Sequence, residues 1–128
     1  MKYEQRLQIQ ICDYLRLQYP GVIFMCDLSS GMKLSIGQAV LAMRMRSSRG
    51  LPDLFIATPS KGKNGLFLEL KREGTKIFLK NGVTIVTDRH IREQATVLKK
   101  LQIIGYEAQF GIGFYATKEI IDRYLHTS

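Results

Sequence analysis

The chain has 128 residues, 19 of them Lys or Arg against 11 Asp or Glu, giving a net charge of +8 and a pI near 9.7. That length suits one domain over 1–128, able to bury about two-thirds of the surface its unfolded chain exposes, and the cation excess points to a polyanionic partner. Three classes are disfavoured: a P-loop ATPase, because no G-x-x-x-x-G-K-[ST] occurs; a membrane protein or secreted chain, because no membrane-length apolar run or signal peptide is visible; and a disulfide or Cys-metal scaffold, because Cys12 and Cys26 lack C-x-x-C spacing and read as buried thiols of a reducing, cytosolic compartment.

A first helix is expected from Lys2 to Tyr19, closed by Pro20-Gly21. At about 100° per residue, Tyr3, Leu7, Ile11, Tyr14 and Leu15 form its apolar stripe. Glu4 falls inside that stripe, where a carboxylate is costly unless it is paired or bound to a metal; a first-turn Glu favoured by the helix dipole is the plainer alternative. Val22 to Leu28 reads as a strand. Ser35-Ile36-Gly37-Gln38 resembles a capping box opening a short helix through about Met45. Met32, Met43 and Met45 are expected to fill gaps in the core. Arg44, Arg46 and Arg49, with Ser47 and Ser48, crowd the approach to Gly50-Leu51-Pro52-Asp53 and suit contacts to a phosphate backbone.

The most telling segment comes next. Leu54-Phe55-Ile56-Ala57 and Leu66-Phe67-Leu68 read as short strands, joined by the turn formers Ser60-Lys61-Gly62-Lys63-Asn64-Gly65. A hairpin there brings Asp53, before one strand, close to Glu69, after the other. Side chains alternate along a strand, so Glu69 and Lys71 share a side while Leu70 enters the core. Two carboxylates and an ammonium then meet on one sheet edge, which is the donor set of metal-dependent phosphodiester hydrolysis. Mg²⁺ or Mn²⁺ takes hard oxygens, and Asp53, Glu69 and the Leu70 backbone carbonyl can supply them. Lys71 can hold or help deprotonate the attacking water, or stabilise charge on the phosphate.

Ile77-Phe78-Leu79 and Val83-Thr84-Ile85-Val86 flank Asn81-Gly82, so a second, projecting hairpin is expected, facing a partner subunit or the substrate and a candidate for the dimer contact. A second long helix should run from Asp88 to Ile104, stopped by Gly105. Its stripe of Ile91, Ala95, Val97, Leu98 and Leu101 has Gln94 near its centre, and a buried amide there must reach another polar group. Tyr106 to Phe110 reads as a strand, and Thr117 as the cap of a last helix, Lys118 to His126. His90 and His126 have no spaced His or Cys partner, which argues against a histidine-based metal site; they read as a helix-start residue and a frayed terminal one.

Gly50-Leu51-Pro52-Asp53-Leu54, Phe67-Leu68-Glu69-Leu70-Lys71, and Glu93-Gln94 leading to Leu98, Leu101 and Gly105 resemble the PD-(D/E)xK nuclease superfamily. More narrowly, they resemble the VRR-NUC (virus-type replication-repair nuclease) family, over nearly the whole chain. The resemblance implies an α/β, restriction-endonuclease-like PD-(D/E)xK core: a central mixed β-sheet flanked by helices, here with an extra β-hairpin. It implies that Asp53 and Glu69 bind the metal, Lys71 is catalytic, Gln94 is an active-site helix residue and Glu4 an auxiliary acid. Stand-alone members of this size are mainly phage and bacterial proteins, some similar to Holliday-junction resolvases that act as homodimers. The expected function is a Mg²⁺- or Mn²⁺-dependent endonuclease on branched DNA. The alternatives are a flap or nicking nuclease, or a non-catalytic nucleic-acid-binding module; the last explains the charge but not the joint placement of Glu4, Asp53, Glu69, Lys71 and Gln94.

Overall fold

A computed structural model describes residues 3–27, 33–48, 50–83 and 85–126. In chain order the elements are α1 (Tyr3–Gln18), β1 (Phe24–Cys26), α2 (Ile36–Arg44), β2 (Leu54–Ile56), β3 (Leu66–Lys71), α3 (Arg89–Ile103), β4 (Glu107–Ile112) and α4 (Phe114–Leu125). The strands form one mixed sheet in the order β1-β2-β3-β4. β1 and β2 pair antiparallel, as do β2 and β3. β3 and β4 run parallel, so the connection between them needs a crossover element, and α3 supplies it.

The β2–β3 connection is a tight turn. Ser60 and Lys63 exchange both backbone hydrogen bonds, at 3.0 and 2.8 Å. Lys61 and Gly62 between them both have positive φ, 51° and 81°, the backbone that matches the twist of paired strands. Strand alternation then sorts the hairpin into two faces. Leu54, Ile56, Leu66, Leu68 and Leu70 are buried against Leu7, Ile11 and Leu15 of α1 and Ile121 and Tyr124 of α4. On the opposite face Phe55 and Phe67 stack at 4.4 Å between ring centroids, with Tyr106 edge-on to both. Each core leucine contributes on the order of 2 kcal/mol by burial, so this packing holds the strand register firmly. α1 and α4 are joined by polar contacts as well: the Asp122 carboxylate accepts from the Tyr14 and Tyr19 hydroxyls and from Lys118.

Several sequence expectations need correction. Tyr3 is 69% exposed rather than part of the buried stripe of α1, whose fourth buried residue is Gln8. The capping box of α2 is present, with Ser35 Oγ accepting from Gln38 N and Gln38 Oε1 from Ser35 N. Yet α2 has no buried residue: Met43 is 44% and Met45 82% exposed, so neither fills the core. Met32 and Leu28 lie outside the described residues.

The turn at Asn81-Gly82 forms, Gly82 having a φ of 72°, but among the described residues its flanks make one bridge, Phe78 to Ile85, in place of two strands. Among the described residues of these flanks only Ile77 is buried, and a two-stranded ribbon with little to pack against is marginal. α4 begins four residues earlier than expected, at Phe114 behind Gly113. Thr117 is an interior residue whose hydroxyl donates to the Gly113 carbonyl at 2.7 Å, the way a helical threonine satisfies itself without capping. His126 is the C-cap of α4, its ring meeting the Tyr19 hydroxyl at 2.8 Å. Cys12 and Cys26 are free and half-buried. Among the described residues no helix is long and apolar enough to cross a membrane.

Candidate active site

The β2–β3 register places Leu54 opposite Leu68, and one step further Asp53 opposite Glu69. Directly opposed residues of an antiparallel pair project to the same side, so the two carboxyls meet there. Asp53 is 7% exposed and Glu69 4%. Asp53 Oδ2 accepts from the Leu70 N–H at 2.8 Å, which fixes the carboxylate at the point where β3 passes from Glu69 to Leu70. Lys71, also buried, closes the strand; its carbonyl accepts from Gly113 N at 2.8 Å, continuing the β3–β4 ladder.

α3 lies over this edge. Gln94 Nε2 donates to Glu69 Oε1 at 2.8 Å, so the amide that interrupts the apolar stripe has its polar partner. The Gly50-Leu51-Pro52-Asp53 turn is wedged against the same helix: a Cβ on Gly50 would stand 3.1–3.2 Å from backbone atoms of Glu93 and Gln94. Glycine is needed there because the turn that delivers Asp53 must touch the helix that delivers Gln94.

The electrostatics are those of a site short of positive charge. Burial, then the Asp53 carboxylate, a hydrogen bond shared with it and the charge of Glu4 all push the Glu69 carboxyl up, to about 10; Lys71 pulls it back. With both acids ionised, Glu69 Oε2 and Gln94 Oε1 are buried acceptors without a donor among the described residues, an arrangement that costs about 1–3 kcal/mol per group. A hard divalent cation would relieve this. Among the described residues no three His, Cys, Asp or Glu side chains are grouped to hold a metal, but Mg²⁺ needs only one or two carboxylates with carbonyl and water oxygens. Asp53, Glu69 and the Leu70 carbonyl fit that donor set.

The remaining sequence candidates divide. Glu4, half-buried at the start of α1, is near enough for its charge to be felt at Glu69. Arg44, the last residue of α2, and Ser47, beyond it, are exposed. Arg46 ion-pairs with Asp27 at 2.6 Å, and Ser48 Oγ accepts from Gly50 N at 3.3 Å, so both brace the loop leading to Asp53. Arg49 lies outside the described residues.

Two residues escaped the sequence reading. Asp27 N donates to the Asp53 carbonyl at 2.7 Å, putting Asp27 beside Asp53 on the neighbouring strand path; an acid interrupting an apolar run was its only signal. His90 Nε2 lies 3.2 Å from Gln94 Nε2, and its i, i+4 spacing from Gln94 was the available clue.

A solved structure of a VRR_NUC domain protein superposes on the chain with a TM-score of 0.67, over 98% of this chain and 89% of that one, at 18% sequence identity. The fold is that of a VRR_NUC domain. No protein-family model matches the sequence, and no curated protein does. The VRR_NUC fold is thus carried here by a sequence only 18% identical to that structure, with Asp53 and Glu69 opposed across one hairpin.

Proposed function

We propose that this chain is a Mg²⁺- or Mn²⁺-dependent endodeoxyribonuclease of the VRR-NUC family, acting on branched DNA. The observation that carries the reading is the pair of opposed, buried carboxyls, Asp53 and Glu69, with an unpartnered oxygen and a lysine two residues along the same strand. Asp53, Glu69 and the Leu70 carbonyl would hold the ion, which when bound supplies Lewis-acid polarisation of a phosphodiester.

The chain's own groups do the rest. Lys71 places its ammonium beside the scissile phosphate, where it holds the attacking water and offsets developing negative charge. Gln94 fixes Glu69 through its Nε2 and offers Oε1 as an acceptor for water. Glu4 adds anionic charge that favours a cation in the site. Arg44, Arg49 and Ser47, with Arg46 when phosphate competes for it, hold the DNA backbone without reading sequence.

Cutting both strands of a four-way junction needs two sites, and a 14.6 kDa chain with one site meets that as a two-fold homodimer. Among the described residues the 77–86 segment forms one bridge; Phe78, Leu79 and Val83 are exposed, as are Ile36, Val40, Leu41, Met43 and Met45 in and around α2. Those apolar groups favour self-association over a monomer.

A panel of four-way junctions, flaps, forks and linear duplex, with Mg²⁺ or with chelator, tests the reading. Paired incisions in the junction only with Mg²⁺ are expected. Single incisions confined to flaps indicate a nicking nuclease, and metal-independent binding without cutting indicates a binding module.

A further inference from the structure

We infer that His90 is a positioning residue that locks the amide of Gln94 in one orientation. Gln94 is 5% exposed, and its Nε2 has two hydrogens to place. One goes to Glu69 Oε1 at 2.8 Å. The nitrogen side of the amide faces the acid. That same nitrogen lies 3.2 Å from His90 Nε2. Both hydrogens of Gln94 are then placed when His90 Nε2 acts as the acceptor of the second. The helix makes the pairing natural: residues at i and i+4 share a face, and a helical side chain points back toward the N-terminus.

His90 itself is exposed, so its ring closes the solvent side of an otherwise buried chain, His90–Gln94–Glu69. With both hydrogens committed, Gln94 Oε1 is the acceptor left facing the site, and it has no protein donor. Removing His90 frees one amide hydrogen to water and lets Oε1 wander. Second-layer partners of this kind commonly carry tenfold to hundredfold effects.

The kinetic consequence rests on the nuclease reading; the hydrogen bond itself does not, and two measurements separate them. In steady-state cleavage with Mg²⁺, H90A should lower kcat roughly tenfold with KM for DNA unchanged. H90Q, which keeps an acceptor, should recover most of the loss, and the H90A effect should vanish in a Q94A background. A loss that persists with Q94A, or a raised KM at unchanged kcat, overturns the positioning role and makes His90 a direct DNA contact. In metal-free protein, the ¹⁵N-resolved side-chain protons of Gln94 should both be protected in wild type and H90Q. One of them should move upfield and exchange faster in H90A. An identical amide pair in H90A and wild type overturns the inference, whether or not any DNA is cut. If no substrate is cut, the nuclease reading fails and the amide spectrum alone decides the role of His90.

Discussion

Replacing Glu69 by Gln should stabilise the metal-free protein at neutral pH while destroying its response to Mg²⁺. The Glu69 carboxyl is 4% exposed, only one of its oxygens has a donor, and burial together with Asp53 pushes it from 4.5 to about 10. An acid raised in the folded state gives stability that is whole below its unfolded pKa and is lost as pH climbs toward its folded one. Between these values the native protein keeps a proton that the unfolded chain has released, so stability falls by up to about 1.4 kcal/mol per pH unit. From about pH 5.5 to 7.5 the ceiling is near 3 kcal/mol, roughly 10 °C in Tm for a chain of this size.

Glu69→Gln has no proton to lose. In chelator its Tm should therefore fall less with pH than that of the wild type, and the curves should cross below neutrality. Saturating Mg²⁺ should raise the wild-type Tm at pH 7.5, the stabilisation being about 2.7 kcal/mol at a hundredfold excess over Kd, and leave Glu69→Gln unmoved. Differential scanning calorimetry across pH, with and without chelator, reads all of this. Parallel pH slopes for the two proteins in chelator would refute the reasoning, since they would mean that Glu69 does not take up a proton on folding.

Gly50→Ala should cost about 1–3 kcal/mol by forcing backbone apart and should depress cleavage more than stability, because the turn carrying Asp53 must back away from Gln94; denaturant melts and cleavage rates at matched folded fraction check it. Asp122→Ala should lower stability by about 1–3 kcal/mol by unpairing the Tyr14 and Tyr19 hydroxyls, with specific activity of the folded protein retained. Neutralising Arg44, Arg46 and Arg49 together should weaken binding to all DNA sequences alike and flatten the salt dependence by about 0.9 log unit per log salt for each lost phosphate contact. A shifted sequence preference at an unchanged salt slope would count against phosphate contacts.

What could be read from the chain was local or followed strand alternation. The Ser60–Gly65 turn formers and the apolar runs around them define the hairpin, and its register follows from which side of Leu70 must be buried; Asp53 and Glu69 meet as a consequence. Gln94 was legible as a polar break in an apolar stripe. The errors are tertiary. Met43 and Met45 looked like core and are exposed, because composition does not say whether a neighbour arrives to cover a helix. Asn81-Gly82 makes its turn, but strands beside it need a surface to pack on. Thr117 imitates a cap because its hydroxyl can satisfy itself inside the helix, and the true boundary sits at Gly113, whose φ of 80° no propensity scale reveals. Asp27 reached the site through the pairing of β1 with β2, and His90 through one turn of α3; neither contact has a signature outside the folded chain.

The most direct measurement is single-turnover cleavage of a four-way junction in Mg²⁺ by wild type, Asp53→Asn and Lys71→Ala, with DNA affinity and folding measured on the same samples. Each substitution should reduce cutting by at least about a thousandfold, as loss of a principal charge-stabilising group does, while folding and DNA binding stay near wild type. Asp53→Asn cutting at the wild-type rate would show that the paired carboxyls of β2 and β3 are not where this protein does its chemistry.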